Sequence, residues 1–271
     1  MKKIEVLMST TEIKNKKELK KKIEEANIKT DTIIVNQVSE IENQIIESKK
    51  LNNNQIMYSY KEKGASKSRN RLLELSKGEI SIFADNDIKY VDDYEEIIKK
   101  AYEKNKEADG ILFYVENTNR QREKNKKVKN KKVKFLDVMR LRIYELTLKK
   151  EAIEKIKEKG IRFDENFGPG AKIYKGEDTI FLSDLVKNKI KLYSVEQKIG
   201  TVGATESSWF KGFNNKYLYD QGAIFKRIAP SLYWILIIQY AIRKHKLYKH
   251  NCSILESTKI MFKGAKEQKQ T

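Results

Sequence analysis

The stretch KGASKSRNRLLELSKGEISIFADND (Lys63–Asp87) changes its hydrophobic period in the middle, from helix to strand. Leu72, Leu73 and Leu75 lie on one side of a helix predicted over Ser66–Ser76, and Gly78 stops it. Ile80–Ala84 (ISIFA) is then a continuous apolar run of strand length, the pattern of a strand buried on both faces. It ends on Asp85-Asn86-Asp87. Two carboxylates at i and i+2, where a buried strand leaves its sheet, present hard oxygen ligands beside a crevice. That arrangement suits Mg2+ or Mn2+ held together with substrate phosphates. The plainer use of such acids is an ordinary turn. Upstream, Gly64 allows a close backbone approach, and Ser66 or Ser68 is expected to cap the helix. The helix N-terminus, with Lys67 and Arg69 beside it, would then face an anion. The plainer alternative is a cap and nothing more.

Working outward, strands and helices alternate. Ile4–Met8 reads as a first buried strand, with Ser9-Thr10-Thr11 as the loop after it. Lys16–Ala26 reads as a solvated helix and Thr32–Val35 as a second strand, and a polar helix is expected over Glu40–Lys49. Gln55–Tyr60 is a third strand. Beyond Asp87, Asp93–Glu107 is a helix and Gly110–Val115 (GILFYV) a strand. This rhythm predicts an α/β fold with a mostly parallel, doubly wound sheet flanked by helices.

In Arg120–Lys134, nine of fifteen residues are Lys or Arg. It reads as a solvated basic loop or as a polybasic element that meets phospholipid or an anionic acceptor. Phe135–Leu148 and Lys150–Lys159 read as strand or helix pieces, and Phe163–Gly170 as a Gly/Pro loop. Gly176-Glu177-Asp178 opens a helix predicted over Asp178–Val186, and Ile190–Val195 is another strand. The two carboxylates fit either a general base with its neighbour or acids complementing a helix dipole. Ile228–Ile242 (IAPSLYWILIIQYAI), the most apolar segment, is followed by Arg243, Lys244, Lys246 and Lys249. Too short to span a bilayer, it fits a helix lying in the interface, or one that packs in a core or against a second copy.

The bulk numbers narrow the classes. At 271 residues the chain suits one large α/β domain with an appendage, and one cysteine excludes an internal disulfide or a cysteine-based zinc cluster. A reducing, intracellular setting is expected; the apolar run in MKKIEVLMST is too brief for a signal h-region. A formal net charge of +19 calls for a polyanion: nucleic acid, an anionic bilayer or phosphorylated substrates. An abundance of Lys, Ile and Asn from a biased genome is the bland source of the same charge.

The order of these pieces is more informative than any one of them. KGASKSRNRLLELSKGEISIFADND resembles the G-x-S-x-x-R-N…G-x-(apolar)4-D-x-D signature of the family 2 glycosyltransferases, which have a GT-A fold. GPGAKIYKGEDTIFLSDLVKNKIKLYSVE resembles that family's acceptor-side stretch. MST with TDTIIVNQ resembles the first two strand ends of a subgroup that builds bacterial surface polysaccharides. The resemblance covers roughly residues 1–225, with residues 226–271 as a C-terminal helical amphipathic and basic tail. It implies Asp87 and Asp85 as metal-binding acids, Asp85 also lying near the ribose or diphosphate. Ser9, Thr10 and Asn36 would frame the nucleotide, and Ser66, Arg69 and Asn70 would line the nucleotide-sugar pocket. Asp178 would be the catalytic base, with Glu177 beside it. The implied reaction is inverting transfer from a nucleotide sugar, UDP-sugar as the first expectation, with Mn2+ or Mg2+ as cofactor. The implied acceptor is lipid-linked or a growing surface glycan, such as capsule. The implied setting is cytoplasmic, peripheral to the inner face of the plasma membrane, with an anionic membrane surface and a second copy as candidate partners of the tail.

The sequence departs from the family pattern in three places. A histidine that many relatives carry after the E-D helix is missing from Ile199–Trp209; the only histidines are His245 and His250. Asn86 replaces the middle acid of the triplet, and the second strand ends on Asn36-Gln37 where an acid is common. Trp209 and Phe210 suit either an aromatic wall for a sugar or a core. Three other readings compete: a catalytically inactive GT-A-like scaffold or partner subunit, a basic nucleic-acid-binding protein, and another nucleotide-sugar enzyme such as a nucleotidyltransferase, whose Gly-rich basic loop after strand one MSTTEIKNK does not match. The four acids Asp85, Asp87, Glu177 and Asp178 speak against the first. The absence of a zinc module, a basic recognition helix or an aromatic sheet motif speaks against nucleic acid as a partner.

Overall fold

Apolar runs that lack polar alternation become the strands of one sheet covered on both sides. The computed structural model describes residues 3–39, 47–52, 54–118, 130–203 and 212–268. Among them lie β1 (Ile4–Thr11), α1 (Lys16–Glu25), β2 (Asp31–Gln37), β3 (Glu47–Asn52), β4 (Gln55–Tyr60), α2 (Ala65–Leu75) and β5 (Ile80–Ala84). Then follow β6 (Lys89–Tyr90), α3 (Tyr94–Lys104), β7 (Gly110–Asn117), β8 (Lys131–Lys132), β9 (Leu146–Lys149), α4 (Lys150–Glu158) and α5 (Glu177–Lys187). β10 (Leu192–Val202) completes the sheet, and α6 (Asn215–Ile228), α7 (Tyr233–Tyr248) and α8 (Ile254–Glu267) close the order.

The sheet runs β3-β4-β2-β1-β5-β9-β7-β10-β6, with β8 pairing β10. Its body is parallel: β4 with β2, β2 with β1, β1 with β5, and β7 with β10. β9 enters antiparallel between β5 and β7. Side chains along β1 alternate between two cores. Val6 and Met8 face α1 and α3 with Leu19, Ile23 and Ile98. Leu7 faces α2, α4 and α5 with Leu72, Ile153 and Phe181. From β1 the order departs to β2 on one side and to β5 on the other, so the carboxyl ends of β1 and β5 flank a topological switch point, where open α/β sheets bind ligands.

The third core belongs to α6, α7 and α8, packed with Phe167, Ile173 and Ile180. α6 and α8 cross backbone to backbone. A Cβ on Gly222 would stand 1.8 Å from the Met261 carbonyl oxygen, and one on Gly264 would stand 2.0 Å from that of Tyr219. The trio is tied to α5 and the loop before it by Arg227 of α6, which donates to Asp164 at 2.9 Å and to Asp184 at 2.8 Å. Ile224 fills the space beside Gly176, where a Cβ would come within 2.5 Å of it. Among the described residues no helix is long and apolar enough to cross a membrane.

Several expectations need correction. Ser9-Thr10-Thr11 is strand, because β2 continues far enough to pair Ser9 with Val35, Thr10 with Asn36 and Thr11 with Gln37. Glu47–Lys49, expected in a helix, pair antiparallel with β4 as an edge strand, where polar residues are ordinary; residues 40–46 lie outside the described residues. Ile228–Ile242 is not one helix: α6 ends at Ile228 and α7 starts at Tyr233. Pro230 between them lacks the N–H a continuing helix needs. Most of the basic segment (residues 120–129) lies outside the described residues, as do Trp209, Phe210 and the rest of 204–211.

Candidate active site

Asp85 and Asp87 leave the end of β5 at the switch point, beside the end of β1. Thr10 of β1 donates to Asn86 Oδ1 at 3.0 Å, so the middle residue of the triplet is held sideways against the neighbouring strand. Asp87 accepts from the Gly203 N–H at 3.0 Å, just past β10. Burial, and then the charge of Asp85, push the Asp87 carboxyl up from its ordinary value. Two close carboxylates at a strand end offer hard oxygens of the kind that suit Mg2+ or Mn2+ along with phosphate oxygens. No group of three or more acid, histidine or cysteine side chains suited to a metal occurs among the described residues. Asp85 and Asp87 are the two carboxylates that stand together at the end of β5.

Arg69 gathers the acids. It projects from the second turn of α2, with its side chain 7% exposed, and its guanidinium meets three carboxylates. Nη2 donates to Asp85 Oδ1 at 2.9 Å; Nη1 donates to Asp178 Oδ1 at 2.8 Å and to Glu177 Oε1 at 3.2 Å. The other carboxylate oxygen of Asp178 accepts from the Ile143 N–H at 3.2 Å. Under the guanidinium lies the ring of Phe163, its centroid 5.7 Å away, itself stacked on Phe181 of α5. Burial, then Asp178, push Glu177 up to about 7, against the opposing pull of Arg69. A buried carboxyl of this kind can carry a proton near neutrality, while Asp178 is fixed by two donors and partly open. A carboxylate held in this way, beside a neighbour that can keep its proton, can serve as a general base.

The remaining expected residues stand close by with their polar atoms turned to the scaffold. Ser9 donates to Ser68 at 2.7 Å, joining β1 to α2. Asn36, fully buried, accepts from Ile13 N–H at 3.0 Å and donates to Ile13 C=O at 2.9 Å. Asn70 does the same with Phe163, at 2.8 Å and 3.0 Å, and also donates to Glu165. Gln37 repeats the pattern on Gly64. A primary amide offers one donor and one acceptor face to match a residue's N–H and C=O; each of these three clamps a loop that borders the site. Ser66 is inside α2 and donates to the Phe167 carbonyl at 2.7 Å.

The expected serine cap is corrected. Gly64, at φ +133, is the N-cap and has no side chain to cap with; the helix starts at Ala65 and takes both serines into its first turns. The Ala65 N–H donates to the Pro169 carbonyl at 3.0 Å. The 167–169 loop thus sits over the helix end that was expected to face an anion. Sequence reasoning missed the segment around Ile143 and Tyr144, which reaches the acids from between β8 and β9; burial raises the Tyr144 hydroxyl, with Asp85 and Asp178 contributing. No local motif marked it; Glu145 closes the short turn by accepting from the Arg142 N–H at 3.0 Å. Lys175 was missed too. It is half-buried just before Glu177's helix, desolvation lowers it well below its ordinary value, and it donates to Gln221 at 2.9 Å.

Sheet order, switch point and acid cluster together define the class of fold: it is GT-A-like. Among solved structures, the segment 1–349 of S. aureus TarS is similar, at TM-score 0.55 and 15% identity over 83% of this chain and 65% of that one. In complex with UDP-GlcNAc the same segment matches at TM-score 0.56 and 13% identity, over 96% of this chain and 70% of that one. The mannosyltransferase PcManGT from Pyrobaculum calidifontis, in complex with GDP-Man and Mn2+, matches at TM-score 0.50 and 12% identity, over 100% and 76%. The chain spans 39% of the longer TarS chain. No protein-family model matches the chain, and no curated protein matches it by sequence. At these identities the likeness is one of fold.

Proposed function

We propose that the chain is a glycosyltransferase that moves a sugar, with inversion, from a nucleoside-diphosphate donor to a hydroxyl of a lipid-linked or polysaccharide acceptor. The observation that carries this reading is the Arg69 hub. It joins the acid at the end of β5 to the pair at the start of α5, in a GT-A-like fold whose solved neighbours are complexed with UDP-GlcNAc, UDP and GDP-Man. In the reaction, Asp178 takes the proton of the acceptor hydroxyl. The acceptor oxygen bonds to the anomeric carbon from the side opposite the donor's phosphate, and the departing C–O electron pair goes to the nucleoside diphosphate. Arg69 fixes Asp178 and Asp85 relative to one another, which keeps base and donor end in register. Asp85 and Asp87 would hold a Mn2+ or Mg2+ that, when bound, stabilises charge on the leaving diphosphate. Ser9 and Thr10, at the end of β1, border the nucleotide in this reading; Asn36, Ser66 and Asn70 shape the pocket through the loops they hold. A role in surface-glycan assembly on the cytoplasmic face of the membrane completes the proposal.

Calorimetry with a panel of nucleoside diphosphates, in Mn2+, Mg2+ or EDTA, tests it on the wild type and Asp87→Ala. One diphosphate is expected to bind at micromolar Kd, to need the metal, and to lose at least tenfold in affinity in the variant. No binding of any diphosphate under any of these conditions would sink the donor-site assignment.

A further inference from the structure

α7 has one side that the chemistry above does not use. Its inner side packs Ile237 and Ala241, with Leu236 and Tyr240, into the core shared with α6 and α8. On its outer side Trp234, Ile235, Ile238 and Ile242 remain 48%, 43%, 42% and 60% exposed. At about 100° per residue these four fall within roughly a third of the helix circumference. Further along the same arc come Lys246 and Lys249, both exposed, with Arg243 at its margin. Leu232 before the helix and Leu255 after it are 57% and 66% exposed. The helix thus presents an apolar amino-terminal half and a basic carboxyl-terminal half on one face. It contains no Asp or Glu to neutralise the cations.

We propose that this face of α7 docks on the surface of an anionic bilayer, lying flat with Trp234 and the isoleucines among the headgroups and upper acyl chains. At 16 residues the helix is about 24 Å long, and its composition is that of an interfacial helix. Charge decides between a bilayer and a second copy of the chain. A copy brings another formal +19, and a symmetric contact would set Lys246 and Lys249 against like charge if the helices ran parallel or against the partner's apolar half if antiparallel, with no carboxylate of α7 to meet them. An anionic lipid surface complements both halves of the face.

The attachment is stiff. Arg227 bolts α6 to Asp164 and Asp184, and Ile224 presses on Gly176, the residue before Glu177. A docked α7 therefore holds the acid pair of α5 at a set height above the lipid. The inference rests on the exposed face and its charge, and stands apart from the transferase reading.

Cosedimentation of the full chain with phosphatidylcholine vesicles, with and without phosphatidylglycerol, tests it in a Trp209→Phe background. Trp234 then reports alone, the chain having two tryptophans. Expected are binding that needs the anionic lipid, a blue shift of Trp234 and its quenching by lipids brominated in the acyl chain. Ile238→Asp/Ile242→Asp should cut partitioning at least tenfold with an unchanged Tm, the sites being exposed. Lys246→Gln and Lys249→Gln should each weaken it roughly fivefold. Any of three results overturns the proposal: no vesicle binding at low salt, binding indifferent to the aspartates, or a stable dimer in sedimentation velocity that the aspartates dissociate. Diphosphate affinity of the aspartate variant, measured alongside, keeps a failed surface distinct from a failed donor site.

Discussion

Arg69 lies between three carboxylates that would otherwise repel one another in a largely dry space. Removing one partner of a buried ion cluster leaves uncompensated charge and costs about 3–5 kcal/mol. Arg69→Ala should lower unfolding free energy in urea by about that much. Arg69→Lys, a single ammonium in place of a planar fork, should keep the fold better yet lose most diphosphate affinity. Glu177 gives a pH signature. Its carboxyl sits at about 7 in the fold against 4.5 when free, so the folded state binds its proton more tightly. Stability tied to that proton is present below the free value and is lost as pH rises through about 7. Glu177→Gln has no such proton to lose. Its Tm relative to wild type should climb between about pH 5 and pH 8, and a flat difference would refute the buried-acid assignment. At this scale the acids were legible because each ends or begins an element. The position of Arg69 as a hub was not legible, because its contacts with Glu177 and Asp178 cross 108 and 109 residues of chain. Such pairing is set by the return of the 163–177 loop, which no local pattern encodes. The partners of Asn36, near the end of β2, and of Asn70, inside α2, were hidden for the same reason: a polar side chain looks alike in sequence whether it faces a nucleotide or a neighbouring loop.

Between elements, the α6–α8 crossing is the tightest contact described. Gly222→Ala places a methyl group against the Met261 carbonyl, where only the separation of two helices makes room. Overpacking of this kind costs about 1–3 kcal/mol. We expect a lower Tm, with the loss larger than for Gly212→Ala, a site where an added Cβ meets nothing within 4 Å although its φ of +83 carries a strain of its own. The elements read well from sequence were those buried on two faces, where a run such as ISIFA admits little else. Those read poorly were at edges. β3 is polar, and β10 was cut at Val195 because Glu196, Gln197 and Lys198 interrupt its apolar run. In the structure the strand continues, with register shifts against β7 between Ser194 and Gly200 that absorb the interruption.

At the scale of the whole molecule, charge and topology follow separate rules. The +19 excess was plain in the composition, but composition cannot say which face a basic residue occupies; helix packing decides that, by turning one side of α7 inward. Topology was legible as alternation, and the antiparallel entry of β9 was not, since four residues of strand carry almost no pattern. That short strand has a consequence for synthesis. β9 alone joins β5 to β7, and β10, the other partner of β7, is made later still, so a chain emerging from the ribosome holds the partial sheet β3-β4-β2-β1-β5 with β7 unattached until Lys149 has appeared. At about 5–20 residues per second, the wait from Asn117 to Lys149 lasts on the order of a few seconds. Through that interval Ile80–Ala84 and Gly110–Asn117 each offer an unpaired backbone edge lined with buried-type side chains, the kind of edge that a neighbouring nascent chain can pair with. The interval before β9 arrives is when this protein most needs a holding chaperone.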